Sequence, residues 1–140
     1  MKITVWGGSG FLGSHIADTL TKEGHSVTVA DKIQSPWLLE NQKMFQGDIL
    51  DKEAVSQSVR DANIVFNCSG IADIHQADQN PFKTAEVNIL GNLNLLSACT
   101  NHAVRRYVFA SSLYVYSTSG GFYRCSKQAC ESYIEEFNRQ

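Results

Sequence analysis

Tyr123 and Lys127 stand four residues apart near the start of a segment with helical patterning, so their side chains share one helix face. A phenol ordinarily titrates at about 10 and is a poor base at neutral pH. A neighbouring ammonium favours the phenolate and makes it usable as an acid/base group. Ser112 ends a β-rich run, where its hydroxyl could hold a substrate oxygen against the tyrosine. Taken alone, Tyr-x-x-x-Lys is a common spacing, and most cases are plain helix-surface pairs. Its weight here comes from two other features of the chain.

The first is the stretch Thr4-Val5-Trp6-Gly7-Gly8-Ser9-Gly10-Phe11-Leu12-Gly13. Gly8, Gly10 and Gly13 satisfy G-x-G-x-x-G, and Gly7, Gly10 and Gly13 satisfy an overlapping G-x-x-G-x-x-G. An apolar run precedes the glycines and a helical pattern follows them, the context of a nucleotide-phosphate loop. In such a loop the glycines allow a tight turn, backbone approach to a pyrophosphate and close helix–sheet packing. The helix N-terminus then directs its unpaired N–H groups at the anion. The alternative is a glycine-rich turn with no ligand.

The second feature is Asp31, eighteen positions after Gly13 at the end of a second β-run. A carboxylate there accepts hydrogen bonds from a ribose diol and repels a 2′-phosphate, which favours NAD over NADP. Lys32 beside it keeps NADP as the lesser option, and a solvated turn or helix cap is the bland reading of Asp31. Asp48, after a third β-run, can meet an adenine amino group or simply sit in a turn. With an oxidised dinucleotide bound, the positive nicotinamide would add to the effect of Lys127 on Tyr123.

Positioning these groups takes an alternating chain. Strands are expected over residues 1–6, 26–30, 43–46, 63–68 and 105–111, and helices over 11–23, 51–59, 82–102 and 122–140. Residues 32–42 and 69–80 read as polar connections, and Asp51 as an N-cap. Right-handed crossovers make this α/β chain a doubly wound parallel sheet, a Rossmann fold, with strand order 3-2-1-4-5. A ligand should then lie across the carboxyl ends of strands 1 and 4. The helix at 82–102 is apolar nearly all round, so a second element or a partner subunit must cover it.

The chain has 140 residues, 43% of them hydrophobic, and a net charge of −2, which suits one NAD-binding domain over residues 1–140. No Lys/Arg cluster exceeds Arg105-Arg106, so nucleic acid is not an expected partner. No apolar run approaches a membrane span, and with a strand expected from residue 2 no signal peptide is expected. Cys68, Cys99, Cys125 and Cys130 form no C-x-x-C pair and read as reduced thiols of a cytoplasmic protein. The four histidines lack ligand spacing, and no metal is expected.

Together these motifs resemble the NAD-dependent epimerase/dehydratase family, the extended short-chain dehydrogenases that act largely on nucleotide sugars. Gly7 to Gly13, with Phe11 and Leu12, resembles its phosphate loop, and Asp31 its ribose ligand. Gly47-Asp48-Ile49 resembles its adenine-site triplet, and Asn67-Cys68-Ser69-Gly70 falls where the family lines the cofactor with small residues. Asn88-Ile89-Leu90-Gly91-Asn92 resembles its Asn-x-x-Gly-Thr helix motif. Ser111-Ser112-Leu113-Tyr114-Val115-Tyr116 resembles Ser-Ser-x-x-Val-Tyr, and Tyr123 with Lys127 its catalytic pair. The resemblance implies that Tyr123 is the acid/base, that Lys127 binds the nicotinamide ribose and lowers the tyrosine pKa, and that Ser112 orients substrate. Hydride would pass between a sugar carbon and nicotinamide C4. It also implies a homodimer through the helices at 82–102 and 122–140.

Two departures stand out. Only ten residues separate Ser112 from Tyr123, fewer than the family usually has. The sequence also stops at Gln140, where family members continue into a substrate-binding portion. A cofactor half truncated before that portion is therefore expected, with a partial gene or a genuinely short protein as the open alternatives. Open alternatives are a non-catalytic NAD-binding regulatory or assembly module and a dehydrogenase or reductase of a non-sugar alcohol.

Overall fold

Five strands, β1 (Lys2–Trp6), β2 (Ser26–Asp31), β3 (Lys43–Gln46), β4 (Ile64–Asn67) and β5 (Arg106–Phe109), make one sheet in the computed structural model, which describes residues 1–140. Their order is β3-β2-β1-β4-β5, and every neighbouring pair is parallel. The expected order 3-2-1-4-5 is the observed one. β1 lies at the centre because Ile3, Val5 and Trp6 are apolar on both faces, and only a strand covered on both sides can bury them all.

Helix α1 (Phe11–Lys22) covers one face, where Ala17 packs with Ile3, Val5, Val27 and Val29. On the other face α2 (Lys52–Val59) contributes Val55 and Val59, packed with Trp6, Ala30 and Val65. Asp51 caps α2 as expected, accepting from the amides of Glu53 at 3.0 Å and Ala54 at 3.2 Å. Residues 32–42 form no helix.

The structure departs from expectation between β4 and β5. Residues 69–80, read as a polar loop, contain the short helix α3 (Ile74–Gln79), whose first turn is capped by Asp73 accepting from the Gln76 amide at 2.7 Å. The single helix expected over 82–102 is three continuous pieces: α4 (Pro81–Thr84), a π-helical stretch (Ala85–Leu90) and α5 (Gly91–Asn101). Its buried positions Asn88, Gly91, Asn92 and Leu95 follow helical spacing, whereas Phe82 and Leu90 remain exposed. The Asn92 amide oxygen accepts from buried Asn67 and from the Tyr107 hydroxyl, which fixes this helix against β4 and β5. A 3₁₀ turn (Leu113–Tyr116) then leads to α6 (Gly121–Arg139). All four cysteines are free, and no helix is long and apolar enough to cross a membrane.

Candidate active site

The glycine loop turns at the carboxyl end of β1. Gly7 has φ +76°, and the amides of Gly7 and Gly8 both donate to the Ala30 carbonyl, at 2.9 and 3.3 Å. A Cβ on Gly7 would lie 2.5 Å from the Cys68 carbonyl carbon and the Ser69 nitrogen, and one on Gly13 would strike the Gly7 carbonyl. The loop is therefore pressed between the end of β4 and the start of its own helix. Gly10 is the N-cap of α1 and no side chain caps that end. The first-turn amides and the positive end of the helix dipole face a hollow lined by glycine, a cradle suited to a pyrophosphate.

On one side of the loop lies a cleft of about 530 Å³. Asp31 stands in its wall, its two carboxylate oxygens accepting from the amides of Ser9 and Ile33, each at 3.1 Å. These bonds tie the end of β2 to the glycine loop and fix where the carboxylate points. Lys32 Nζ bridges to Asp48 at 2.9 Å on the same rim. The Leu50 amide, followed by the Lys32 ammonium, holds the Asp48 carboxyl below the usual carboxylate range. Ile49 forms the apolar floor, with Trp6 and Val87.

On the other side the hollow continues into a cavity of about 350 Å³, which shares Gly7, Gly10, Cys68, Ser69 and Gly70 with the first. Exposed Phe11 and Leu12 line one wall, and Tyr123 and Lys127 the opposite one. Lys127 is 6% exposed; its ammonium donates to the Ala110 carbonyl at 2.8 Å and lies 4.6 Å from the Phe109 ring centre and 5.7 Å from that of Tyr123. Burial pulls the Lys127 pKa below the ordinary lysine value, with Cys130 and Cys68 acting in the opposite direction. Tyr114 packs edge-on to Tyr123 at 6.5 Å between ring centres. A phenol beside a desolvated ammonium at a cavity wall can give and take a proton at a bound hydroxyl.

Of the residues singled out in the sequence, Gly7, Gly10, Phe11, Leu12, Gly13, Asp31, Lys32, Asp48, Ile49, Cys68, Ser69, Gly70, Tyr123 and Lys127 line one or both cavities. Two do not. The buried Asn88 amide is taken up by Ile71 and Ser126: it accepts from the Ile71 nitrogen at 2.7 Å and donates to the Ile71 carbonyl at 3.0 Å and to Ser126 Oγ at 2.9 Å. It reaches the cavity only by holding the 69–71 loop. The Ser112 hydroxyl accepts from the Tyr114 amide at 3.3 Å, and Ala110 and Ser111 form the wall instead. Gln76 and Lys83 at the Asp31 end were missed; they come from the stretch read as loop and from a helix end with no motif. A separate hollow of about 250 Å³ at the opposite strand ends, beside Lys2 and Ser26, holds none of these residues.

Three comparisons bear on this arrangement. The UDP-glucose 4-epimerase of Lactobacillus helveticus is 34% identical over 121 residues, covering 83% of this chain and 37% of that protein. The UDP-glucose 4-epimerase of Thermus thermophilus, solved with NAD, superposes with a TM-score of 0.90 at 30% identity, over 99% of this chain and 51% of that one. The Thermotoga maritima enzyme, solved with UDP-glucose, gives 0.94 at 27% identity, over 100% and 52%. The chain thus spans about half the length of the solved relatives and less of the curated one. The family profile described as NAD dependent epimerase/dehydratase matches residues 3–140, so the loop, the sheet order and the Tyr123–Lys127 wall have one common explanation: the chain belongs to the NAD-dependent epimerase/dehydratase family.

Proposed function

We propose that this chain is the NAD-binding and catalytic portion of a nucleotide-sugar epimerase or dehydratase. The observation that carries the reading is the continuity of the cavity from Asp31, past the uncapped end of α1, to Tyr123 and the buried Lys127. Asp31 has the position to hold the adenosine ribose, and Asp48 the adenine edge. Bound NAD supplies reversible uptake of a hydride; the remaining roles belong to the chain. Tyr123 holds and moves the proton of the substrate hydroxyl and Lys127 orients the neighbouring ribose; Ser112, next to the Ala110–Ser111 wall, is assigned to orienting the same hydroxyl. The ammonium–phenol wall supports this over a purely structural helix pair, because both side chains line the cavity that continues into the cleft at Asp31.

Exposed Phe82, Leu90 and Tyr133 on the α4–α5 run and on α6 support a homodimer through these helices. Light scattering should then give twice the chain mass, and a monomer at working concentration would contradict it.

Calorimetry on the 140-residue chain should show tighter binding of NAD than of NADP; the reverse order removes Asp31 from the ribose. Tyr123→Phe should abolish hydride transfer from a UDP-sugar and leave NAD binding nearly intact. Unchanged transfer would take Tyr123 out of the mechanism.

A further inference from the structure

Arg124, Lys127, Gln128 and Glu131 follow the spacing i, i+3, i+4, i+7 and so form one stripe along α6. Every one of them is bonded to the segment 110–117. Arg124 Nη1 donates to the Ser117 carbonyl at 3.0 Å, Gln128 Nε2 to the Val115 carbonyl at 2.9 Å, and Lys127 Nζ to the Ala110 carbonyl at 2.8 Å. Glu131 accepts a short hydrogen bond from the Ser111 hydroxyl. The segment therefore runs antiparallel to the helix, with Ser117 at the first turn and Ser111 at the third.

This segment carries Ser112 and leaves the sheet at Ala110, whose amide still donates to the Asn67 carbonyl of β4 at 3.0 Å; beyond it no ladder bond fixes residues 111–117. Its internal bonds are those of one 3₁₀ turn: the Val115 amide reaches the Ser112 carbonyl at 3.2 Å, and the Ser117 amide the Tyr114 carbonyl at 3.0 Å. In the same turn the Ser112 hydroxyl accepts from the Tyr114 amide at 3.3 Å, and the Ser117 hydroxyl donates to the Tyr114 carbonyl at 3.2 Å. Leu113 and Tyr116 are largely exposed and contribute little packing. Between Ala110 and Ser117 the segment is thus held to the helix that bears the tyrosine by that helix's own side chains, together with the edge-on contact of Tyr114 with Tyr123. Three of the four bonds are made to backbone carbonyls, so they hold the path of the segment irrespective of its side chains. That suits a connection of only ten residues between Ser112 and Tyr123.

We propose that Arg124, Gln128 and Glu131 are positioning residues that template residues 110–117 on α6 and thereby hold Ser112 in register with Tyr123. The proposal rests on the reading of Ser112 and Tyr123 as catalytic groups, but its first test does not. Amide hydrogen exchange is compared in the parent chain, Gln128→Ala, Glu131→Ala and Glu131→Gln. Loss of one such bond should speed exchange at the Val115 and Ser117 amides roughly threefold to tenfold, while Val5 in β1 keeps its protection. Glu131→Gln retains an acceptor oxygen and should restore most of the protection lost in Glu131→Ala. Unchanged exchange at 113–117, or equal acceleration at Val5, overturns the proposal. Should Glu131→Ala fail to fold, Gln128→Ala and Glu131→Gln still decide it. With NAD and a UDP-sugar, the two alanine variants should lower kcat and leave the Kd for NAD unchanged. Local acceleration with unchanged kcat overturns the link to Ser112. Absence of NAD binding in the parent chain instead counts against the proposed function and leaves the exchange result standing.

Discussion

The carboxylate of Asp78 lies over the first turn of α6, accepting the Phe122 amide at 3.0 Å from a position 44 residues earlier in the chain. The N-cap residue of α6, Gly120, offers no side chain, and no acidic residue stands in the first turn. One orphan donor of the helix that bears Tyr123 is therefore satisfied from α3. The negative charge also complements the helix dipole. Asp78→Ala should destabilise the chain by about 1 kcal/mol, the usual cost of losing a helix cap, read as a lower urea midpoint. Asp78→Asn should cost less because its oxygen still accepts. An unshifted midpoint for Asp78→Ala would mean that water serves the Phe122 amide equally well.

Asp48 gives the chain an acid-sensitive point. Its folded carboxyl titrates below the ordinary value near 3.8, first through the Leu50 amide and then through Lys32. A carboxyl more acidic in the folded state contributes stability that is fully present above the unfolded value. That stability is lost as pH falls through the folded one. Urea midpoints from about pH 5 downward should therefore fall more gently in Asp48→Asn than in the parent chain. Lys32→Ala should alter the acid limb less than Asp48→Asn, because the backbone bond dominates and the bridge is exposed. Equal effects of the two variants would reverse that ranking.

Gly7 should tolerate no side chain. At φ +76° an L-residue is strained, and the added carbon would meet backbone atoms of Cys68 and Ser69 that cannot swing aside. Gly7→Ala should cost roughly 1–3 kcal/mol and also weaken NAD binding, since relief of the clash moves the loop off the end of β4. Tight binding in this variant would show that the cradle is formed elsewhere.

Much of this was legible in the sequence because it is local. The β-runs around Val5, Val29 and Val65 are short and apolar, as central parallel strands must be, and Gly7 to Gly13, Asp31 and Tyr123–Lys127 are motifs of fixed spacing. Helix α3 was not legible: residues 69–80 carry no apolar stripe, and the helix depends on the Asp73 cap and on docking to α6. Nor does hydrophobic spacing encode the slip to π hydrogen bonding at Ala85–Leu90, a feature often found at functional sites. Asn88 stands out in the sequence as part of a motif, but its link to Ile71 and Ser126 arises from contacts 17 and 38 residues apart, beyond any local pattern.

The cysteines offer a probe of the cavity that does not depend on turnover. Burial pushes the Cys99 thiol up to about 12 and the Cys130 thiol up to about 11, whereas Cys125 is exposed. Cys68 is half-buried and raised less, with Lys127 opposing the effect of burial, and it lines both cavities. Because the thiolate is the reacting species, an aromatic disulfide reagent at mildly alkaline pH should modify Cys125 first, Cys68 slowly, and the two buried thiols only on unfolding. Cys125→Ser should remove the fast phase and leave Cys68 as the first thiol to react. In that variant NAD should slow modification of Cys68, since a dinucleotide lying between Asp31 and Tyr123 must pass over it. A rate for Cys68 unchanged at saturating NAD would place the ligand outside the two joined cavities.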